Sequence, residues 1–467
     1  MSFIVFEELF EIPLRNGLTK PKRIRGEGYK MVNMGELFAY PRINNLVMDR
    51  APLNEKEKES SLLKTGDLLF ARQSLVREGA GQCSIFLNDQ EEVCFESHLI
   101  RCRLKQDIAN PTFYFYFFSS CLGKKIINTI VEQGAGAAGI RGSDLAKLIV
   151  PKPSIVIQER IAKILSDLDD KIYLNNQINQ TLESIAQAIF KSWFIDFDPV
   201  RAKIAAKQEG KDPERAAMCA ISGKSEAELK QMAKEDFAEL QATAALFPDE
   251  LVESELGEVP KGWEVNSLGN ICNFTPGSAF KPEYQGQTQG EIPFIKVSDM
   301  NLNGNESFIV KANNYIDNSL QKERKFKLHE EGATVFAKIG VALISNRRRL
   351  LTMPTIIDNN MMSASPVKAL STPYYLYLLL KTIDFNTLVS GTALPYLNVS
   401  DLRKISIVHP TINLLNKFEL MANPLLQKIK LNSVQCEGMV TLRDNLLPKL
   451  LSGELDVSDL QGEGIDG

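Results

Sequence analysis

Apolar residues recur at every third or fourth position in two long stretches of the chain, residues 154–200 and 411–455. This spacing is typical of an amphipathic helix, in which such positions share one face. A proline, Pro153 or Pro410, precedes each stretch, as is common at helix starts. About 40 residues make a helix roughly 60 Å long, which exceeds the width of a 150-residue block, about 30 Å. We therefore predict that the two helices pair through their apolar faces.

The predicted interface consists of apolar side chains at these spacings. They are Ile161, Ile164, Leu168, Ile172, Leu182 and Ile185 in the first helix and Phe418, Met421, Leu425, Ile429, Met439 and Leu442 in the second. Polar residues interrupt both stripes near their middle, at Asn175–Asn176 and Asn432–Ser433. A polar residue at a buried coiled-coil position specifies register, and these residues are candidates for that role.

The regions before each helix, residues 1–153 and 258–410, alternate short strand-like runs with polar loops. DLLFAR and KLIVP in the first region, and TVFAKI and ISIVHP in the second, are typical of strands. The predicted fold class is α+β, with two mixed α/β domains separated by a pair of long antiparallel helices. The Ala-, Glu- and Lys-rich segment 201–257 is predicted to be a helical linker or insert that caps the helix pair, contacts a partner or is simply solvated. Residues 456–467 form a tail.

The chain is an internal repeat with an offset of 257 residues. Residues 134–153 align with residues 391–410, and DKIYLN (170–175) aligns with QKIKLN (427–432). The repeat predicts a pseudo-two-fold arrangement. It also explains a GxGxxG match at Gly134, Gly136 and Gly139: a dinucleotide loop leads into a helix, whereas these glycines precede a short strand and the second copy lacks the motif. We interpret them as loop residues.

Composition and charge restrict the class of protein. The chain has 467 residues, of which 44% are hydrophobic and 24% charged, with seven cysteines, three histidines and a net charge of −4. The scattered cysteines and histidines do not form a metal motif, and the absence of a signal-like start or long apolar run predicts a cytoplasmic protein. Charge is uneven: residues 1–150 carry 20 basic and 18 acidic side chains, residues 258–410 carry 16 and 13, and the remainder 18 and 27. Whole-chain charge therefore does not exclude a nucleic-acid partner.

Loops at matching positions of the two repeats carry side chains suited to duplex DNA. Arg and Lys contact phosphates and guanine edges, and Asn and Gln contact adenine edges. The candidate DNA-binding residues are Lys20, Lys22, Arg23, Arg25, Arg72, Gln73, Arg77 and Arg141 in the first repeat and Lys281, Lys296, Lys338, Asn346, Arg347, Arg348, Tyr396 and Asn398 in the second. Catalytic motifs are incomplete: Thr112 interrupts a methyltransferase-like NPTF, and Met218 replaces the first glycine of a Walker A motif. We predict no catalytic site and no metal site in this chain.

The sequence resembles the specificity subunits of type I restriction–modification systems. The resemblance rests on residues 158–203, on LGEVPKGWEV (256–265), on GEIPFIKVSDM (290–300) and on LRDNLLPKLLSGELDV (442–457). It implies two target-recognition domains that each bind half of a split, asymmetric DNA sequence, with the helices setting the spacer. It also implies docking of two methyltransferase subunits, which hold S-adenosylmethionine, and of restriction subunits that use ATP and Mg²⁺ if such subunits exist; no cofactor is expected in this chain.

Other interpretations stay open at this point. The chain could serve a methyltransferase-only or type II-like bipartite system. It could instead be a self-contained S-adenosylmethionine-dependent DNA methyltransferase that uses NPTF or the Gly134 loop, or a scaffold whose repeats bind protein. Cofactor binding by the isolated chain and salt-dependent DNA affinity distinguish these interpretations.

Overall fold

A computed structural model describes residues 2–134, 136–391 and 395–455. The chain divides into two compact units, residues 1–171 with 439–467 and residues 172–438. The first repeat lies in the first unit and the second repeat in the second. The predicted tail, residues 456–467, lies outside the described residues. No helix in the described part of the chain is long and apolar enough to cross a membrane.

The first repeat is built from short strands and helices. Its strands are β1 (Ser2–Val5), β2 (Phe10–Asn16), β3 (Tyr29–Val32), β4 (Arg42–Asn44), β5 (Asp49–Ala51), β6 (Leu68–Ala71), β7 (Gln73–Ser74), β8 (Cys83–Asn88), β9 (Val93–Phe95), β10 (Leu99–Leu104), β11 (Glu132–Gln133), β12 (Ala138–Gly139) and β13 (Ile149–Lys152). Its helices are α1 (Met34–Ala39), α2 (Glu55–Ser61), α3 (Pro111–Ser119), α4 (Cys121–Asn128) and α5 (Gly142–Ala146). A sheet of order β2-β10-β6-β8-β4 packs on the buried aromatic helix α3, while β5-β3-β9 and β11-β12-β7 form two smaller sheets.

The first long helix, α6, spans Ile155–Phe194. It ends six residues before the end of the predicted segment 154–200. Pro199 explains the difference, because proline has no N–H and cannot sit in a helix interior without losing a hydrogen bond. The chain passes through Phe197 in the left-handed conformation, with φ 56°, and a new helix starts with Pro199 in its first turn.

The segment 201–257 is folded rather than extended. It contributes helices α7 (Asp198–Gln208), α8 (Pro213–Ser222), α9 (Glu226–Leu229) and α10 (Lys234–Ala244) and a hairpin of β14 (Leu251–Ser254) and β15 (Gly257–Pro260). Its apolar residues join the core of the second unit, where Phe247 packs edge-on against Trp193 at the end of α6, with 5.1 Å between ring centroids. The buried Lys203 ammonium donates to Glu214 and to the Phe247 carbonyl, each at 2.8 Å. The insert therefore covers the end of α6.

The second repeat has its own set of elements. Its strands are β16 (Glu264–Ser267), β17 (Cys272–Pro276), β18 (Ile292–Ile295), β19 (Phe308–Ile309), β20 (Tyr315–Ile316), β21 (Thr334–Ala337), β22 (Arg349–Leu351), β23 (Ile356–Ile357), β24 (Met361–Pro366), β25 (Val389–Ser390), β26 (Tyr396–Leu397) and β27 (Ser406–His409). Its helices are α11 (Leu268–Ile271), α12 (Asn318–Arg324), α13 (Val341–Ile344), α14 (Pro373–Thr382) and α15 (Val399–Arg403), and the second long helix, α16, follows at Ile412–Ser452.

The two repeats share one topology. The five-stranded sheet of the second repeat has the order β17-β24-β21-β22-β19, which matches β2-β10-β6-β8-β4 strand for strand in the first. The three-stranded sheet β20-β18-β23 likewise matches β5-β3-β9, and in each the middle strand has one antiparallel and one parallel partner. The expected α+β fold with an internal repeat is confirmed.

Within the second unit, α6 and α16 run antiparallel. Phe418 of α16 is fully buried against Phe190, Trp193 and Phe194 of α6, with ring centroids 5.1 to 5.9 Å apart. Further along, the Asn432 amide donates to the Asn179 side-chain oxygen at 2.9 Å. Later residues of α16 therefore meet earlier residues of α6, as the antiparallel prediction requires.

A polar cluster lies in the middle of this helix pair. Asn179 also donates to the Ser433 hydroxyl at 3.3 Å, and the Cys436 thiol lies 3.8 Å from the Asn176 side-chain oxygen. At the 257-residue offset, Asn179 corresponds to Cys436 and Asn176 to Ser433, so the two contacts are equivalent under exchange of the helices. The predicted polar interruption is therefore part of the interface, with Asn179 as a partner that the prediction omitted.

In the first unit, the remaining halves of the helices contact each other as well. Ile161 and Leu165 of α6 share a core with Leu447 and Leu450 of α16. The order is again antiparallel, because Asp169 of α6 accepts a hydrogen bond at 2.7 Å from Arg443, which precedes those leucines.

The predicted helix interface is wrong at two residues. Ile185 is 42% exposed and Leu442 is 48% exposed. Each lies one residue from the buried face, beside Ala186 and Arg443 respectively, and one residue turns a helix by about 100°. Of the others, Ile161, Phe418 and Ile429 are buried, while the remaining predicted residues, Ile164, Leu168, Ile172, Leu182, Met421, Leu425 and Met439, are partly buried.

Candidate nucleic-acid interface

A groove of about 350 Å³ lies in the first repeat, where β7, β11 and β12 form a small sheet. Arg72, Gln73 and Arg141, three of the predicted DNA-binding residues, line it together with Asn16 and Glu132. The Arg141 guanidinium donates to the Glu132 carboxylate at 2.8 Å, and both side chains are more than 60% exposed. The groove therefore offers two guanidinium groups and the amides of Asn16 and Gln73 to a polar ligand.

Backbone hydrogen bonds hold Arg72 at the rim of this groove. Its N–H donates to the His98 carbonyl at 2.7 Å, and its carbonyl accepts from the Ile140 N–H at 3.0 Å. Gly139 passes so close that a Cβ atom there would lie 3.0 Å from the Arg72 carbonyl oxygen. This close approach accounts for the last glycine of the GxGxxG match, which is a strand residue of β12.

The second repeat holds Lys338 by the same two bonds. The Lys338 N–H donates to the Asn360 carbonyl at 2.9 Å, and the Lys338 carbonyl accepts from the Leu397 N–H at 2.8 Å. Ile339 forms a β-bridge with Tyr396, just as Gln73 of β7 pairs with Gly139 of β12 in the first repeat. Lys338 is thus the structural counterpart of Arg72, and the half-exposed Tyr396 lies beside it in place of the glycine.

A second loop is also common to both repeats. Gly17 and Gly277 start it, and at each a Cβ atom would lie within 2.2 Å of a backbone carbonyl oxygen, that of Phe95 or Asp358, so that glycine is required. A 3-10 turn follows at Lys22–Ile24 in the first repeat and at Pro282–Tyr284 in the second. The repeats therefore present two loops each at equivalent positions.

The comparisons with known proteins decide the family. A family model described as the type I restriction modification DNA specificity domain matches residues 3–184 and 260–413. The chain belongs to the type I restriction–modification specificity family. The second matched segment coincides with the second repeat, and the first covers the first repeat together with most of α6, so each repeat carries one match.

Curated relatives and a solved structure agree with this family. The chain is 33% identical over 417 residues to the type I restriction enzyme HindI specificity subunit of Haemophilus influenzae, covering 84% of this chain and 87% of that protein. It is 28% identical over 358 residues to the MjaIX specificity subunit of Methanocaldococcus jannaschii, covering 76% and 71%. Its fold is similar to the crystal structure of a type I restriction–modification S subunit from M. genitalium, with a TM-score of 0.53, 14% identity and coverage of 96% and 95%.

A partly buried polar network anchors the first specificity domain to its helices. The Tyr116 hydroxyl of α3 donates to Asp169 of α6 at 2.6 Å, and Asp169 also accepts from Arg443 of α16. Burial and the nearby Asp169 carboxylate raise the pKa of Tyr116. Burial lowers the pKa of Arg443, but the hydrogen bonds to Asp169 and Asp444 and the charges of these carboxylates together outweigh burial, so the net shift is upward. Both groups therefore keep their protons and the network stays intact at neutral pH.

The second specificity domain uses the corresponding tyrosine. Tyr377 of α14 donates to Glu183 of α6 at 3.0 Å, Ser307 donates to the same carboxylate at 2.7 Å, and Lys381 forms an ion pair with it. Burial would raise the pKa of Glu183, but these three partners lower it. Each specificity domain is thus held to α6 by a tyrosine and a carboxylate.

The prediction that Arg348 contacts DNA is wrong. Arg348 is 1% exposed and its guanidinium lies 3.6 Å from the centre of the Phe385 ring. It donates to the Ile383 carbonyl at 2.5 Å and to the Asn346 side chain at 2.6 Å. Burial lowers the pKa of Arg348 to about 10. These contacts give Arg348 a structural role, and the burial contradicts a DNA contact.

Several other candidates take part in the protein's own contacts. In the first repeat, Lys20 pairs with Glu57 at 2.8 Å, Arg25 donates to Asn33 at 2.7 Å, and Arg77 donates to Asn128 at 3.0 Å. In the second, Lys296 and Arg347 donate to Gln285 and Asn301, Asn346 accepts from the Phe385 N–H at 3.0 Å, and Asn398 caps α15 through Ser400. Lys22, Arg23 and Lys281 are exposed. All of these remain predictions as DNA contacts.

The motifs that resembled cofactor sites are helix caps. Asn110 of NPTF accepts from the Phe113 N–H at 3.1 Å and starts α3. Gly223 ends α8 in the left-handed conformation, and Ser225 caps α9. Within the described ranges, no group of three or more His, Cys, Asp or Glu side chains is placed to hold a metal ion.

Sequence reasoning overlooked two exposed aliphatic residues beside the candidate interface. Leu75 follows β7 and is 87% exposed, and Val341, at the corresponding position of the second repeat, is 80% exposed. In the sequence they resemble ordinary strand or helix residues, and only their exposure distinguishes them.

Proposed function

We propose that the chain is the non-catalytic DNA-recognition subunit of a type I restriction–modification complex. Each of its two specificity domains binds one half of a bipartite, asymmetric duplex target. The supporting observation is that two domains of one topology, each matching the DNA specificity family, present different side chains at equivalent positions. One topology gives both domains the same way of approaching DNA, and different side chains let them read different sequences.

The Arg72–Gln73–Arg141 groove is the proposed base-reading site of the first domain. Guanidinium groups pair with guanine edges and glutamine with adenine edges. In the second domain, Lys338 and Asn398 occupy the positions of Arg72 and Arg141, and Tyr396 lies beside Lys338 where the first domain has Gly139. Lysine there supplies a point charge rather than a planar fork, which accords with a different half-site.

The paired helices α6 and α16 are proposed to set the spacer between the half-sites and to dock two methyltransferase subunits. Each domain is fixed to α6 by its tyrosine–carboxylate network, so a change in the helices would be transmitted to the domains. The methyltransferase subunits supply S-adenosylmethionine and the adenine chemistry. Restriction subunits, where present, supply ATP-driven cleavage.

The test combines binding and activity. The purified chain should bind its mapped target with an affinity that falls steeply with salt, because phosphate contacts release counterions. It should not bind S-adenosylmethionine in calorimetry, and it should not methylate DNA until the methyltransferase subunit is added. Methylation by the chain alone, or a DNA affinity insensitive to salt, would contradict the proposal.

A matched pair of substitutions locates the binding site. Arg72→Ala, in the groove, should weaken target binding, whereas Lys163→Ala, on α6 with a side chain 74% exposed, should change binding only through general charge. Equal effects of the two substitutions would mean that the groove does not bind DNA.

A further inference from the structure

We propose that Leu75 and Val341 are apolar DNA-contacting residues, one in each domain, that enter the duplex beside the basic residue of the same loop. This inference rests on the proposed function and adds a contact chemistry to it. An isolated exposed aliphatic residue is normal on a protein surface. The argument therefore depends on position and on surroundings rather than on exposure alone.

Position is the first observation. Strand pairing makes Gln73 the counterpart of Ile339, because Gln73 pairs with Gly139 and Ile339 with Tyr396. Leu75 and Val341 lie two residues further on in each repeat. The local backbone differs, because Leu75 follows β7 whereas Val341 is the first residue of α13, yet both segments place a strongly exposed aliphatic side chain two residues after the paired position, 87% and 80% exposed.

The neighbouring charge is the second observation. Arg72 and Lys338 occupy equivalent places three residues before the aliphatic residue, each fixed by the same two backbone hydrogen bonds. In the first repeat, Arg77 lies two residues after it. A cation next to a projecting aliphatic side chain matches what duplex DNA offers, a phosphate backbone beside the apolar faces and methyl groups of bases.

Hydrogen bonds hold the segments that carry these residues. The Ser74 hydroxyl accepts from the Val76 N–H at 3.2 Å, and the Val76 carbonyl accepts from Gly79 at 3.1 Å. In the second repeat, the Gly340 N–H donates to the Pro395 carbonyl at 2.7 Å and its carbonyl accepts from Leu343 at 3.0 Å. An ordered loop loses little entropy on binding, so the apolar contact contributes to affinity.

Two modes of DNA contact fit an exposed aliphatic side chain. The side chain contacts thymine methyl groups in the major groove, or it inserts between base steps and unstacks them. Both remove an aliphatic side chain from water, and burial of a leucine side chain corresponds to about a tenfold or greater gain in affinity. Neither changes the number of phosphate contacts, so the salt dependence should stay the same.

The experiment measures target affinity of the full chain with its methyltransferase subunit. Leu75→Ala should weaken binding about tenfold with an unchanged salt slope and an unchanged melting temperature. Scrambling the first half-site should then cost this variant less than it costs wild type, whereas scrambling the second should cost both equally. Val341→Ala should show the reverse. Leu122→Ala, a matched change at a residue 46% exposed on α4, should bind like wild type.

Modified targets distinguish the two modes. Replacing half-site thymines with deoxyuridine should reduce wild-type affinity to the level of Leu75→Ala if methyl groups are contacted. A 2-aminopurine probe should brighten with wild type and not with Leu75→Ala if a step is unstacked. Absence of both responses, or wild-type affinity in Leu75→Ala, overturns the inference while leaving the proposed function intact. Failure of wild type itself to bind the target overturns the proposed function instead.

Discussion

Truncation of Phe418 tests whether the two long helices stabilise the second unit by packing against each other. The Phe418 ring is fully buried and makes edge-on contacts with Phe190, Trp193 and Phe194 of α6. Phe→Ala substitutions in well-packed cores cost about 3–5 kcal/mol, because both transfer energy and a cavity are involved. Three ring contacts at these distances place Phe418→Ala in the upper part of that range.

The assay uses the chain's own fluorophores. Its two tryptophans, Trp193 and Trp263, both lie in the second unit and are almost fully buried. Urea unfolding followed by tryptophan emission therefore reports the unfolding free energy of this unit. Leu420→Ala, two residues along α16 and 63% exposed, is the control and should cost less than about 0.5 kcal/mol. A Phe418→Ala cost within about 1 kcal/mol of the control would refute the packing argument.

Three further predictions concern buried polar groups. Arg348→Ala should lower the unfolding free energy by roughly 2–4 kcal/mol, because it empties a buried site and removes hydrogen bonds to buried groups. Asn432→Leu should lower the unfolding free energy by about 1–3 kcal/mol, since it leaves the Asn179 side-chain oxygen unpaired. Asn175→Leu should be neutral or stabilising because, among the described residues, the buried Asn175 amide nitrogen has no partner. Urea unfolding measures the free energy of all three variants. Burial lowers the pKa of His329 to about 4, so the neutral form is favoured in the folded state. The unfolded histidine gains its proton near pH 6.5, and the folded one only near pH 4. The free energy of unfolding should therefore fall by about 3 kcal/mol, from this residue, as the pH drops across that window. Urea unfolding of His329→Gln and wild type across that window should show the smaller loss in the variant.

Each of these predictions has a matched comparison. Lys281→Ala, at an exposed position of the same repeat, should leave stability unchanged, and a similar value for Arg348→Ala would contradict its structural role. If Asn175→Leu and Asn432→Leu cost the same, the polar cluster does not depend on the hydrogen bonds described. For His329, parallel pH curves for variant and wild type would mean that the histidine does not titrate on unfolding.

The fold was predictable because it is repeated in the sequence. Two copies of one pattern, 257 residues apart, indicated both the shared topology and the helix pair, and periodicity alone located α6 and α16. The errors have local causes. Ile185 and Leu442 fell one residue off the buried face, a rotation that spacing in an irregular stripe does not resolve, and the end of α6 depended on Pro199.

The candidate site was less predictable, because exposure and partners are properties of the folded chain. In the sequence, Arg348 is one of three consecutive arginines, and nothing there marks it as the buried one; its role comes from Phe385 and the Ile383 carbonyl. The grouping of Arg72, Gln73 and Arg141 depends on a small sheet that joins residues about 70 positions apart. Leu75 and Val341 were overlooked because only the folded structure shows that their side chains are exposed to water.

Mapping of methylated adenines in cells that express the chain with its methyltransferase subunit tests the central claim most directly. Wild type should produce one bipartite motif, two specified segments separated by a spacer of constant length. Arg141→Ala, in the first domain, should relax or abolish only one segment and leave the other segment and the spacer unchanged. A single uninterrupted motif, or a change of both segments by this one substitution, would contradict the assignment of one half-site to each domain.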